Sequence, residues 1–330
     1  MKIKITIISL FVFIFLFQSI TANAATSVNP FQITTDGGQQ KDAQVYKNTV
    51  AYTNFNGTGG IDVWGYDVNT QQNFPIIDKP GQQFLTSFDN KLIIYDDFNE
   101  TSSHYSVRLH NMASNEDMLI AGEPGSRSSG VTNGKFVVYV EGGACGQIHA
   151  YNLKKMTDIV ISAGGCAPLR ISGETVIWGY GAPGGSNIYG YDLQKNELID
   201  VVTDSNFQES ASIFGEDVVY LEYTTGALGD YNAIKMKNLR TGKKTTIYES
   251  TSSTLQYPAI SDKYVVWSES TAQHMGGVQG ANLKTGEVFE VQAQGAHQNS
   301  HTTPSIWKDT AAWMAWRTGN GDIYGATLTK

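Results

Sequence analysis

Apolar and polar positions alternate along most of this chain, in short runs that repeatedly close on an aromatic residue. The runs are "NTVAY" (48–52), "KLIIY" (91–95), "KFVVY" (135–139), "ETVIW" (174–178), "EDVVY" (216–220), "KYVVW" (263–267) and "DTAAW" (309–313). After each comes a polar, Gly-rich stretch and a second alternating run, such as "IDVWGYDV" (61–68), "SNIYGYDL" (186–193) or "GDIYGATL" (321–328). A period of two marks a half-buried strand. Turns such as "RTGK" (240–243) and "KTGE" (284–287) follow, with a glycine free to take positive φ. A further short strand lies after each turn, as in "EVFEV" (287–291), and another before each aromatic run, as in "YPAIS" (257–261). The pattern predicts four strands per repeat. No long apolar stripe of period 3.6 follows residue 24, so almost no helix is expected.

The closing aromatics Tyr52, Tyr95, Tyr139, Trp178, Tyr220, Trp267 and Trp313 recur at intervals of 39 to 47 residues. Four-stranded antiparallel units at that period predict an all-β, seven-bladed β-propeller, in which blades bury their faces on one another. A six-bladed ring requires one copy to be misread. The expected blades span about 40–83, 84–126, 127–165, 166–207, 208–254, 255–300 and 301–330, within a single domain over 25–330. The seventh copy stops after its third strand. "PFQITTDGGQQ" (30–40) matches "NFPIIDKPGQQ" (73–83), which follows the third strand of the first copy. The N-terminal segment, about 30–36, should therefore supply the outer strand of the last blade and remove a sheet edge.

Residues 1–24 read as an export signal: Lys2 and Lys4, an apolar run over 5–17, then "ANA" (22–24) as a small-residue cleavage site. The run is shorter than the roughly 20 residues that span a bilayer, and no later segment is apolar enough. The protein is expected in the periplasm, at the cell surface or outside, without a membrane span after cleavage. Loss of Lys2 and Lys4 takes the formal charge from −8 to −10. An acidic chain with no Lys/Arg run argues against nucleic acid as a partner. A composition holding 34 Gly and 17 Tyr suits many short strands and tight turns. Serine-hydrolase, P-loop and dinucleotide-binding glycine motifs are absent.

"QYPAISDKYVVWSE" (256–269) and "NIYGYDLQKNE" (187–197) resemble the TolB-like, WD40-like propeller repeats of exported bacterial and archaeal proteins. The resemblance covers essentially all of 30–330 and implies the propeller fold. It does not single out a function, because the class includes binding modules, assembly scaffolds, peptidase gating domains and some polysaccharide lyases. The best-known member has six blades and an extra α/β domain, so its envelope role is not carried over.

In a propeller, the loops after the second strand and before the first share one face around the central channel. Two rings of residues align there. Near twelve positions before each aromatic stand Gln40, Gln83, Arg127, Cys166, Gln208, Gln256 and His301. Two positions after it stand Asn54, Asp97, Glu141, Tyr180, Glu222, Glu269 and Ala315. Such a lining suits a cation, water or sugar hydroxyls, or else serves to satisfy strand ends. His297 and His301 in "GAHQNSHTT" are candidate metal ligands if other blades contribute more, so a divalent cation is a possible cofactor. Polysaccharide lyases on seven-bladed propellers use metal-bound His and Gln, but no motif of theirs transfers residue by residue, and no catalytic residue is assigned. Cys145 and Cys166 fall on the same face of adjoining blades, so a disulfide is expected. These readings predict an exported, monomeric, non-catalytic module that binds a glycan or an envelope or extracellular protein. The alternative is a metal-dependent uronate lyase with its site at the channel mouth.

Overall fold

The computed structural model describes residues 25–330 apart from 56–59, 183–184, 205, 225–230, 272–275, 294–302, 317–319 and 330. The export signal expected at 1–24 lies outside the described residues, as do His297 and His301. Among the described residues there is no helix, and none that could cross a membrane.

Strands pair antiparallel with their sequence neighbours in four-stranded units. The first unit holds Gln39–Tyr46, Thr49–Phe55, Ile61–Asp67 and Gln72–Ile77. The second holds Gln82–Asp89, Leu92–Asn99, His104–Asn111 and Glu116–Ala121. The third holds Arg127–Thr132, Phe136–Glu141, Cys145–Asn152 and the first part of Thr157–Ser172. The rest of that long strand opens the fourth unit, followed by Thr175–Ala182, Gly185–Asp192 and Glu197–Val202. The fifth holds Phe207–Phe214, Asp217–Thr224, Tyr231–Asn238 and Lys244–Ser250. The sixth holds Ser253–Ile260, Tyr264–Thr271, Gly277–Asn282 and Val288–Gln292. The last holds Ser305–Trp307, Thr310–Trp316 and Gly321–Thr329, and its fourth strand is Ser27–Gln32 from the other end of the chain. That strand starts somewhat earlier than the sequence match suggested and pairs from Ser27↔Thr329 to Gln32↔Tyr324.

The core explains why the repeat is written as it is. All seven closing aromatics are at most 3% exposed. Apolar residues gather in separate clusters, each joining one unit to the next. Val63 and Leu85 meet between the first and second, Val107 and Val137 between the second and third, and Ile148 and Trp178 between the third and fourth. Ile188 with Tyr220, Val219 with Trp267, and Val266 with Trp313 make the next three junctions. Tyr52 with Met314 and Ile323 joins the last unit back to the first. The arrangement is an all-β propeller consistent with seven blades. Two of the tyrosines also anchor their hydroxyls within their own blades. Tyr52 and Tyr139 hydroxyls donate to Asn73 and Asp158, each at 2.9 Å, on the fourth strands of their own blades.

The phrase "GYDL" has a local cause as well. Asp192 Oδ1 accepts the backbone N–H groups of Gln194 and Lys195, both at 2.9 Å. Asp67, Asn152 and Asn282 cap the equivalent turns between third and fourth strands in the same way. A short acceptor side chain bonding two residues ahead stabilises such a turn. In the last blade Thr327 stands at this position, and the fourth strand there comes from Ser27–Gln32.

Candidate functional site

The first strands of all the blades line a central cavity of about 780 Å³. These strands share an irregularity. The register slips by an extra residue or more between Lys41 and Gln44, Ser128 and Val131, Glu209 and Ser212, and Gln256 and Ala259. At those bulges Asp42, Ser129, Ser210 and Tyr257 hold positive φ between 51° and 60° without being glycine. Left-handed backbone at non-glycine residues is strained and is kept where the surroundings enforce it. All four line the cavity.

The two rings read from the sequence lie just outside that cavity, and the structure couples them to each other. Gln40 and Asn54, Gln83 and Asp97, Arg127 and Glu141, and Gln208 and Glu222 are cross-strand partners. Gln40 Nε2 donates to Asn54 Oδ1 at 3.1 Å, and Gln83 Nε2 to Asp97 Oδ1 at 3.3 Å. Arg127 Nη2 donates to Glu141 Oε1 at 2.6 Å. Gln40, Gln83 and Gln208 are fully buried rather than presented to a ligand at the mouth.

In the sixth blade the alignment needs a correction. Leu255, not Gln256, pairs with Glu269, and Gln256 pairs with Ser268. A one-residue slip turns a side chain to the other face of the sheet, so Gln256 does not share the position of the other glutamines. Cys166 pairs with Gly179 rather than with Tyr180. His301 and the neighbouring His297 fall outside the described residues.

The acids of the second ring are already engaged. Asp97 lies 3.3 Å from Lys79 and 3.6 Å from Arg108. Glu141 faces Arg127 and has His149 Nε2 at 3.0 Å, while His149 Nδ1 reaches Asp158 at 2.8 Å. Glu222 pairs with Lys235, and Glu269 accepts from Ser253 and Tyr248 hydroxyls. Among the described residues no group of three or more His, Cys, Asp or Glu side chains is placed to hold a metal ion. The expected disulfide is present: Cys145 and Cys166 are bonded, and they are paired residues of adjacent strands.

One cation is not engaged in this way, and the ring alignment missed it. Arg170 lines the central cavity. Its Nη1 donates to the carbonyl of Leu169 at 2.9 Å, and no ion pair neutralises it among the described residues. Burial pulls its guanidinium below the ordinary arginine range. Cross-strand pairing puts it level with Gln44, Ser212 and Ser305, each opposite the residue before its closing aromatic. A charge in a ring of neutral groups is the signal that would have found it. Asp42, also on the cavity wall, has its carboxyl pushed up by burial, with Lys41 and the Thr53 hydroxyl working against that shift.

No family model matches the sequence, and no curated protein matches it. Solved structures do share the fold. An oligogalacturonate lyase in complex with manganese superposes with a TM-score of 0.68 at 15% identity, over 93% of this chain and 95% of that one. The oligogalacturonate lyase from Vibrio parahaemolyticus gives 0.64 at 12% identity, over 93% and 98%. TolB from Acinetobacter baumannii gives 0.54 at 15% identity, over 89% and 79%. The chain thus has the TolB-like propeller fold that its repeats resemble.

Proposed function

We propose that this protein is an exported glycan-binding module whose central cavity takes an acidic oligosaccharide, with Arg170 receiving a carboxylate of the sugar. The observation that carries the reading is an arginine with no acidic partner among the described residues, inside a cavity, in a chain whose formal charge is −8. A half-buried cation lacking a counter-ion carries a desolvation cost, which a ligand carboxylate would offset through paired N–H···O bonds. Hydroxyl groups of Ser129, Ser210, Ser212 and Thr303 lie on the same walls and suit sugar hydroxyls. The two lyases that match almost end to end carry an acidic oligosaccharide in their names, which supports the choice of ligand class.

Calorimetric titration with oligogalacturonates and with uncharged oligosaccharides of equal length tests the reading. Saturable binding of the acidic series alone, lost in Arg170→Gln, is expected. Equal binding of both series, or full binding by Arg170→Gln, overturns it.

A second reading, a uronate lyase, is favoured by the manganese-bound lyase, 95% of whose chain is matched by this one. The described residues do not fit a metal centre, so no step is derived through one. Ultraviolet absorbance of unsaturated product, with and without manganese and in His301→Ala, decides between a lyase and a binder.

A further inference from the structure

Besides the central cavity, a smaller cavity of about 250 Å³ opens between the fourth and fifth blades. Its walls include Trp178, Tyr180 and Ser186 from one side and Gln208 and Glu209 from the other. Gln208 is 0% exposed, yet among the described residues neither its Oε1 nor its Nε2 has a partner, and Ser186 Oγ is buried and unpartnered among them as well. The cause is local. In the first two blades the equivalent glutamine donates across the strand pair to Asn54 or Asp97. In the fifth blade the cross-strand residue is Glu222, which is taken by Lys235 and by Asn206 Nδ2 at 3.1 Å. Gln208 is left with a free donor and a free acceptor facing a cavity.

We infer that this interblade cleft is a binding site for one neutral, polyhydroxylated ring, a sugar unit without a carboxylate. A primary amide can donate to one hydroxyl while accepting from its neighbour, which matches an adjacent hydroxyl pair. Buried polar groups without partners are rare in folded proteins, and each costs free energy that a ligand or water recovers. The opposite wall is aromatic: Trp178 is buried, and Tyr180 is 44% exposed, held edge-on against Tyr189 at 6.3 Å between centroids. The C–H face of a sugar ring lies against such a surface. A Cβ built on Gly179 or Gly181 meets nothing within 4 Å, so those positions leave the cleft open. The Glu209 carboxylate on the wall disfavours an anion. The volume falls below that of drug-sized sites and suits a single ring. This inference does not rest on the acidic-oligosaccharide reading, although both cavities touch Ala167, Pro168 and Ser210.

The test uses the full protein titrated with cellobiose, lactose and N,N′-diacetylchitobiose, followed by calorimetry and by fluorescence of the tryptophans. At least one should bind saturably. Gln208→Met and Tyr180→Ala should each weaken it by about tenfold or more, and Arg170→Gln should leave it unchanged. Without sugar, Gln208→Met should melt no lower than the wild type, since it removes an unsatisfied buried amide. Four outcomes overturn the inference. They are no saturable binding of any of the three, equal binding by Gln208→Met, loss of neutral-sugar binding in Arg170→Gln, or a marked fall in the melting temperature of unliganded Gln208→Met. A crystal structure grown with the best ligand that shows only water between Gln208 and Ser186 overturns it too.

Discussion

Asp96 of the second blade reaches across to the third, where its two carboxyl oxygens accept the backbone N–H of Ser129 at 3.1 and 3.0 Å. Ser129 holds φ of 60° in the first-strand bulge, so an acid on one blade fixes a strained residue on the next. Thr53 makes the same kind of staple one blade earlier, accepting from Leu85 N at 3.0 Å. The staple recurs, but only Asp96 can titrate.

Burial pushes the Asp96 carboxyl up to about 7, against the partial opposition of the Ser129 N–H. The sign follows from linkage. Below the ordinary carboxylate value both folded and unfolded states hold the proton, and the fold bears no charge-burial cost. Between roughly 4 and 7 the unfolded chain ionises first, so stability falls as pH rises through this window. Denaturant titrations between pH 4 and 8 should show a loss of up to a few kcal/mol. Asp96→Asn should flatten that dependence. An unchanged slope in Asp96→Asn would assign the effect to other groups.

Lys235 is the partner that keeps Glu222, 3% exposed, from being a lone buried charge. Lys235→Met should destabilise the fold by about 3 kcal/mol, because it strands the carboxylate. Adding Glu222→Gln should recover most of that loss. A double-mutant cycle in urea reads the coupling directly.

The Cys145–Cys166 bond spans 21 residues of chain. Closing a loop of that size restricts the unfolded chain, and Cys145→Ser with Cys166→Ser should cost about 3 kcal/mol. Urea unfolding of the wild type with and without reductant should show the same difference. The double-serine variant should be indifferent to reductant.

Asp192→Ala removes the acceptor for two turn amides. A loss of about 1 kcal/mol is expected, comparable to removing a helix cap. Asp192→Asn should retain most of it, because the amide oxygen can accept the same two bonds. Thermal melts of the two variants side by side provide the comparison.

The fold was readable because its determinants are local and repeated. Period-two alternation set the strands, and closing aromatics such as Tyr95 and Trp267, each 0% exposed, set the junctions. Even ring closure was legible in the likeness of "PFQ" to "NFP". The site was far less so. Which partner an acid finds depends on side chains delivered by other strands: Lys79 and Arg108 to Asp97, His149 to Glu141, Lys235 to Glu222. No spacing announces those meetings. Gln256 stands eleven positions before Trp267, whereas the residue at twelve, Leu255, is the one that pairs with Glu269, as Gln40 pairs with Asn54. Arg170 lies one layer below the two rings, level with Gln44 and Ser212, where no repeated residue type marks the position.

The blade that seals the ring pairs Ser27–Gln32 with Gly321–Thr329, the last of three strands from the other end of the chain. Almost three hundred residues of synthesis separate the two halves of one sheet. The early strand must wait, unpaired, until the last has emerged. A nascent chain therefore carries an open sheet edge and an unfilled junction between its first and last blades. Contacts of such separation are slow to form, and an exposed edge invites pairing with other chains. Until the final strand arrives, the central cavity has no complete wall.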